Sequence, residues 1–239
     1  MADKRKYELK KRAEQAGETR QRITEATVEL HRTVGPAATQ ISEISRRAGV
    51  QRVTVYTHFP DETALFAACS AHWRALHPVP DPAPWLAFSD PGERLRRGLR
   101  ELYAWYRETE PMTANILRDA ELVPAIQPFV EDGLGGYLES VCRILGEPIR
   151  SGLRGRRRAR VDAALRATVD FHLWRRLAPL GDADAAELGA GLVELAAGAA
   201  GSSSGGRADR KSNLPDLKSA QPATPVPIGQ ATPVPPIPQ

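Results

Sequence analysis

The chain is poor in cysteine, and its two thiols lie far apart in the sequence. Cys69 and Cys142 are the only cysteines among 239 residues, and neither has a partner at CxxC spacing. This scarcity argues against a disulfide framework and against a cysteine-based zinc site. Both residues lie on predicted apolar helix faces, so we expect buried, reduced thiols, although a redox switch stays open.

The sequence also lacks a long uninterrupted apolar segment. The longest one, Leu188 to Ala200, is interrupted by Glu194 and is too short to span a bilayer. The charged N-terminus has no apolar core of the kind that a signal peptide needs. We therefore expect a cytoplasmic protein without a membrane partner.

Motifs of enzymatic and cofactor chemistry are missing as well. The sequence contains no hydrolase elbow, nucleotide loop or metal-ligand spacing. The glycines that begin at Gly133 lack a preceding strand and the remaining spacing of a dinucleotide fingerprint. We therefore expect no catalytic site, no cofactor and no metal site.

What the chain does contain is a short helix, a glycine turn and a second helix between Thr39 and Phe59, with the sequence TQISEISRRAGVQRVTVYTHF. In the first helix, Ile41, Ile44 and Ala48 share one apolar stripe, and Thr39 is the predicted N-cap. Gly49 suits the left-handed conformation that ends a helix. This pattern predicts a helix-turn-helix, although two short helices joined by Gly-Val also occur in other helical proteins.

The second helix of this motif has an inward face, formed by Val55 and Phe59, and a polar outward face. A recognition helix reads base edges mainly with its first residues, where Arg52 suits guanine, Gln51 suits adenine, and Val53 or Thr54 suits a thymine methyl group. Tyr56 and His58 come later and are within reach of phosphates. The predicted DNA-contacting residues are Thr39, Gln40, Ser42, Gln51, Arg52, Val53, Thr54, Tyr56, Thr57 and His58.

Residues Thr19 to Cys69 resemble the N-terminal domain of the tetracycline-repressor-like (TetR) family of transcriptional regulators. The resemblance rests on the helix ITEATVELHRTVG, on T-x-x-x-x-I-x-x-x-A-G-V from Thr39, on T-V-Y-x-H-F from Thr54, and on P-D-x-x-A-L from Pro60. It implies an all-helical homodimer with a DNA-binding head and a larger ligand-binding and dimerisation body. It also implies that a small-molecule effector releases a double-stranded DNA operator.

One residue departs from the family pattern. The family usually carries a lysine early in its fourth helix that contacts a phosphate, and this chain has Glu62 there. Asp61 and Glu62 suit a helix N-terminus, so the structural role survives while the phosphate contact is in doubt. The basic segment Met1 to Arg12, with six Lys or Arg against two acids, is either a DNA-reaching arm that compensates or a solvated terminus.

Charge and composition divide the chain into four segments. Residues 1–77 carry 13 basic and 9 acidic side chains, residues 78–200 carry 16 and 18, and residues 201–239 carry 4 and 2. We predict a basic flexible arm over 1–16 and a DNA-binding head over 17–77. The body then spans 78–200, and a disordered proline-rich tail spans 201–239, where a docking role or a plain extension are both open.

Apolar periodicity and proline stops predict an all-α fold of about nine helices. The first helix is predicted from Glu18 to Val34, and the fourth begins at Asp61, stops before Pro78 and links head to body. Five more are predicted in the body: Pro91 to Thr109, Pro111 to Leu122, Pro124 to Gly146, Gly155 to Leu177 and Asp182 to Ala199. The resemblance implies that the last two form a dimer bundle, with a seam of Leu188, Gly189, Leu192, Leu195 and Ala196.

The ligand pocket is predicted from the resemblance, because aromatic residues amount to only 6% of the chain and most belong in a core. His172 is a candidate polar contact, with a structural or exposed histidine as the alternative. The arginine-rich run from Arg154 to Arg160 is predicted to be a solvated loop and helix start rather than a second nucleic-acid site. The candidate pocket residues are Trp105, Met112, Phe129, Tyr137, Phe171, His172 and Trp174.

Two functions are consistent with these patterns. The first is a ligand-responsive transcription factor, with repression as the expected outcome of DNA binding. The second is a helical small-molecule-binding protein or an enzyme without a DNA function. The helix-turn-helix favours the first, because no catalytic motif supports the second.

Overall fold

The computed structural model describes the backbone of residues 2–198 and the side chains from Lys6 to Gly198. Within these residues every regular element is helical, as the all-α prediction required. The predicted proline-rich tail lies outside the described residues. The nine α-helices are α1 Ala2–Thr33, α2 Ile41–Ala48, α3 Arg52–His58, α4 Glu62–Leu76, α5 Pro91–Asp119, α6 Gly136–Arg150, α7 Gly155–Val169, α8 Phe171–Leu177 and α9 Asp182–Gly198.

Helix α1 is twice as long as the helix we predicted. It continues through residues 2–16, the segment that we expected to be a flexible arm. The physical reason is local, because this segment has no proline and is rich in Lys, Arg, Glu and Ala, which favour helix. Lys10 and Glu14 also form an i,i+4 pair at 3.8 Å.

The helix-turn-helix forms at the predicted residues. Ile44 and Ala48 are buried, and Gly49 ends α2 in the left-handed conformation with φ of 66°. The predicted cap was wrong: Gln40 is the N-cap of α2 without a side-chain bond, and the Thr39 hydroxyl instead donates to Gly35 O at 2.8 Å. The turn thus depends on the glycine more than on a capping side chain.

In the body, helices do not end at every proline, contrary to our prediction. Helix α5 runs through Pro111, where we predicted a break, and α6 runs through Pro148. Pro111 is exposed, so water can solvate the carbonyl that it leaves unbonded. Conversely, the helix predicted from Gly155 to Leu177 divides at Asp170, whose carboxylate accepts from the N–H groups of the next helix and starts α8.

The segment predicted as one helix from Pro124 to Gly146 has three parts. A 3-10 turn covers Pro124–Ile126, a π-helical segment covers Phe129–Gly135, and α6 follows. Wide π turns are rare and occur often at functional positions. This segment therefore presents side chains in directions that a regular helix would not.

Two apolar clusters hold the fold together. The head cluster contains Ile23, Ile44, Val55 and Phe59, and it also takes in Met112 from α5. The body cluster lies among α5, α6, α7, α8 and α9. Head and body are therefore joined by a side chain of α5 that fills part of the head core.

The exposed face of α9 corrects the predicted dimer seam. Gly189 faces the body, where an added Cβ would lie 3.0 Å from the Tyr103 hydroxyl, and Ala196 packs on the body cluster. Leu188, Leu192 and Leu195 are 46%, 42% and 67% exposed. Of the five residues predicted for the seam, only these three leucines lie on the outer face. Among the described residues, no helix is long and apolar enough to cross a membrane.

Candidate DNA-binding surface and ligand cavity

Helix α3 presents an exposed polar surface above a buried anchor. Val55 is 1% exposed, and the neighbouring Val53 and Tyr56 are 64% and 52% exposed. Gln51, Arg52 and Thr57 are also exposed, while Thr54 and His58 are half-buried. The short helix is thus fixed through its apolar side, and its outer side chains are free to meet a partner.

The residues predicted on α2 lie at its N-terminal end. Gln40 and Ser42 are exposed, and Thr39 is half-buried. Behind them, the half-buried Glu43 accepts hydrogen bonds from Arg46 and Arg47, and these bonds lower the pKa of Glu43 to about 2. All ten predicted DNA-contacting side chains therefore reach solvent. We call this set of ten residues, which lie at the N-terminal end of α2 and along α3, the recognition surface.

Arg20 supports the recognition surface, although the sequence pattern did not reveal it. Its guanidinium donates to the backbone O of His58 at 2.6 Å and lies 4.1 Å from the centre of the Phe59 ring. A cation at the end of α3 also complements the helix dipole. Arg20 therefore fixes the end of α3 against α1. A contact 38 residues apart in sequence has no local signature.

The acidic start of α4 has the structural role that we expected. The Asp61 carboxylate accepts from the N–H of Ala64 at 2.7 Å and caps the helix, and Glu62 is exposed in the first turn. Glu62 is thus free of a structural bond to the described residues. A carboxylate there would repel a nearby phosphate.

A cavity of about 470 Å³ lies among α1, α4, α5, the π-helical segment and α6. Its walls are mainly apolar and aromatic. Four of the seven predicted pocket residues border it, namely Trp105, Met112, Phe129 and Tyr137. A volume of this size suits a drug-sized molecule.

The other three predicted pocket residues do not border this cavity. Phe171 and Trp174 are 2% and 0% exposed and pack against Tyr106, with ring centres 5.3 and 5.5 Å away. His172 is exposed on α8. Helix α7 ends before Asp170, and α8 begins after it. The change of direction at this residue places Phe171 and Trp174 in the body cluster.

His31 borders the cavity from the head, and sequence reasoning missed it. It is 4% exposed and stacks on Phe66 of α4 with ring centres 4.8 Å apart. Burial lowers its pKa to about 4, although the nearby Asp119 carboxylate opposes that shift. The imidazole is therefore neutral at physiological pH.

Three side chains at the end of α5 hold the end of α1. Asn115 donates to the carbonyls of His31 and Arg32 at 3.0 and 2.9 Å, Arg118 donates to Val34 O at 3.1 Å, and Asp119 accepts from Ala37 N at 3.0 Å. Burial alone would raise the pKa of Asp119, but the bonds from Arg118 and Ala37 outweigh it and lower the pKa. We call Asn115, Arg118 and Asp119 the α5 clamp.

The backbone beneath the α5 clamp requires glycine. Gly35 has φ of 93°, and an added Cβ would collide with the Arg118 guanidinium and the Asp119 carboxylate. Both the left-handed conformation and the lack of space exclude a larger residue. Gly35, which directly follows the predicted end of the first helix, is therefore also a contact point between head and body.

Comparisons with known proteins match the head. The family described as "Bacterial regulatory proteins, tetR family" matches residues 23–69. The HTH-type transcriptional regulator AcrR of Shigella flexneri is 38% identical over 58 residues, which are 24% of this chain and 27% of that relative. The match thus spans about a quarter of the relative's length.

The fold as a whole is similar to a solved structure. A TetR transcription regulator from Haloarcula marismortui ATCC 43049 matches with a TM-score of 0.51 and 18% sequence identity. The match covers 77% of this chain and 98% of that one. At this identity the likeness concerns the fold alone.

Proposed function

We propose that the chain is a repressor that binds a palindromic DNA operator as a homodimer, because residues 23–69 match the TetR family and the fold is similar to that of a TetR transcription regulator. We further propose that a small molecule in the cavity releases the DNA. The recognition surface carries this proposal, because most of its polar side chains are exposed, while the buried Val55 and Phe59 and the hydrogen bond from Arg20 fix α3 to the rest of the head.

Specific roles follow from side-chain chemistry. Arg52 is proposed to fork onto a guanine and Gln51 to pair with an adenine at the leading end of α3, while Val53 contacts a thymine methyl group. Tyr56 and His58 are proposed to contact phosphates, which position the protein without reading sequence. The 64% exposure of Val53 supports its role, because an apolar side chain on a surface gains when it meets a methyl group.

The proposed dimer uses α9 and keeps two recognition surfaces one DNA turn apart, about 34 Å. Leu188, Leu192 and Leu195 support this proposal, because they form an exposed apolar strip at helical spacing. Light scattering on the purified protein tests it. Leu192→Glu should convert dimer to monomer, and Asp184→Asn, an exposed control on the same helix, should not.

Ligand release is proposed to act through the two head helices that border the cavity. His31 lies on α1 and Phe66 on α4, while the α5 clamp ties the end of α1 to the body. A molecule that enters the cavity would alter the relative position of these elements. Small displacements matter, because both recognition surfaces must meet the operator together.

A gel shift on duplexes tiled across the DNA beside the gene tests the central proposal. We expect one or a few duplexes to bind far more tightly than random DNA, with affinity falling as salt rises. The cavity also suits a helical binding protein without a DNA function. Equal affinity for all duplexes, combined with ligand binding, would favour that second function.

A further inference from the structure

The cavity has charge only at its edges. Its two charged lining residues, Arg74 and Asp132, are both exposed to solvent. The deeper walls are formed by aromatic, aliphatic and sulfur-containing side chains such as Phe66, Met112 and Phe129. An ion in this interior would lose its hydration without gaining a partner, which is strongly unfavourable.

Several polar groups of the walls are already bonded to the protein. The Tyr137 hydroxyl donates to Pro80 O at 3.0 Å, and the Trp105 indole N–H donates to His77 O at 3.2 Å. The Thr113 hydroxyl is 3.2 Å from the hydroxyl of Thr109. These groups have donated their hydrogen atoms within the fold, so they offer little to a ligand.

The side chains of His31, Ser70 and Trp73 also line the cavity and make no hydrogen bond with the described residues, and of these three only His31 is buried. Its side chain is almost fully buried, it borders the cavity, and its ring makes no hydrogen bond with the residues that the structure describes. Both ring nitrogens keep some solvent access, since no fully buried side-chain N or O atom of the described residues lacks a hydrogen-bond partner. A neutral imidazole offers one donor and one acceptor. A buried polar ring with free hydrogen-bonding capacity therefore lines a mainly apolar cavity.

We propose that the cavity binds a neutral, largely aromatic molecule with one hydrogen-bonding group, and that His31 binds that group. The aromatic walls take the apolar part, as rings pack against rings. The low pKa of His31 fits this assignment, because an uncharged imidazole suits an uncharged ligand. The regulatory meaning of the contact rests on the proposed function.

The position of His31 gives this contact a direct path to the head. Its own backbone carbonyl accepts from Asn115 of the α5 clamp at 3.0 Å. One residue therefore touches the ligand space with its ring and the body with its backbone. A ligand bonded to the ring acts on α1 itself, in addition to any effect on α4.

Equilibrium dialysis with three naphthalene probes tests the assignment. The probes are 2-naphthol, 2-methylnaphthalene and 2-naphthoate, which share a size but differ in hydrogen bonding and charge. At pH 7 we expect 2-naphthol to bind about fivefold more tightly than 2-methylnaphthalene, the ratio that one hydrogen bond supplies. We expect 2-naphthoate to bind at least about tenfold more weakly than 2-naphthol.

Two variants locate the selectivity. In His31→Phe, which keeps an aromatic ring against Phe66, the preference for 2-naphthol over 2-methylnaphthalene should vanish while 2-methylnaphthalene binds as before. Thr113→Val removes another hydroxyl from the wall and should keep the preference. If His31→Phe does not fold, as thermal melting would reveal, the three affinities of the unaltered protein still decide the ligand class.

Several outcomes would overturn the assignment. These are a preference that persists in His31→Phe, tightest binding by 2-naphthoate, or no binding of any probe. The gel shift tests the proposed function separately, since it uses DNA and no probe. Selective binding of 2-naphthol without operator binding would refute the proposed repressor function and support the ligand site at His31. Operator binding without this selectivity would support the repressor function and refute the ligand site.

Discussion

On the recognition surface, Gln51 and Arg52 are exposed, and their side chains make no hydrogen bond with the described residues. At the end of α5, Asn115 and Asp119 are also polar, yet their side chains bond to backbone groups of the head. The first pair has free bonding capacity, as the proposed contacts with DNA require. The second pair uses it to join two parts of one chain, and this difference separates a binding surface from a structural joint.

The largest predicted effect concerns His31, whose backbone is held by the α5 clamp but whose ring makes no hydrogen bond with the described residues. Its folded pKa of about 4 lies below the unfolded value near 6.5, so the unfolded chain binds the proton first. Stability therefore falls as pH drops below 6.5. Urea unfolding should lose about 3 kcal/mol between pH 7 and pH 4 from this residue.

The contribution of His31 is isolated by a difference between proteins, because carboxylates titrate in the same range. His31→Phe should remove that share of the loss, and His172→Phe, which changes an exposed histidine, should not. An identical pH dependence in the unaltered protein and His31→Phe would contradict the buried, neutral state.

The second prediction concerns a substitution that disrupts the α5 clamp. Asp119→Ala removes a buried carboxylate that accepts from Ala37 N and Arg118, and it leaves the Ala37 N–H without its partner. We expect a loss of about 2–3 kcal/mol in the free energy of unfolding, measured in urea. Glu121→Ala, at an exposed neighbouring position, should change stability by less than about 0.5 kcal/mol. Equal effects of the two substitutions would show that the α5 clamp contributes nothing to the free energy of unfolding.

The third prediction removes base reading from the recognition surface. Arg52→Ala should weaken specific operator binding by roughly 1–3 kcal/mol and relax base choice at one position, with little change in stability. Gel shifts on specific and random duplexes measure both effects. Equal losses on the two duplexes would refute base reading by Arg52.

The smallest effect is expected from Tyr56→Phe, which removes one hydroxyl from a side chain that is 52% exposed. If Tyr56 bonds a phosphate, all duplexes should bind about 1 kcal/mol more weakly, with base choice unchanged. A loss confined to the specific duplex would instead assign base reading to Tyr56.

The sequence predicted the helix-turn-helix well because its signals are local. The stripe of Ile44 and Ala48 and the left-handed Gly49 follow from helix spacing and from glycine's conformational freedom. The start of α1 was wrong, since a basic composition was interpreted as flexibility although the same residues favour helix. The break at Pro111 was wrong because an exposed proline can remain within a helix.

The cavity and the α5 clamp were harder to predict, because they depend on long-range contacts. Asn115 bonds to His31 across 84 residues, and no periodicity connects the two. The predicted placement of Phe171 and Trp174 came from the family resemblance, and the turn at Asp170 redirects them. The resemblance placed four residues at the cavity that do border it, because they lie in or beside long helices. These residues are Trp105, Met112, Phe129 and Tyr137.

Met112 bears on how the chain could be shortened. This side chain of α5 fills part of the cluster built by Ile23, Leu30 and Phe59, and Ile116 packs beside it. A fragment that stops at residue 77 would expose that apolar surface to water and lose several kilocalories per mole of burial. We expect the melting temperature of such a fragment to lie well below that of the intact chain. An isolated DNA-binding fragment would therefore need to include α5 or a substitute for it.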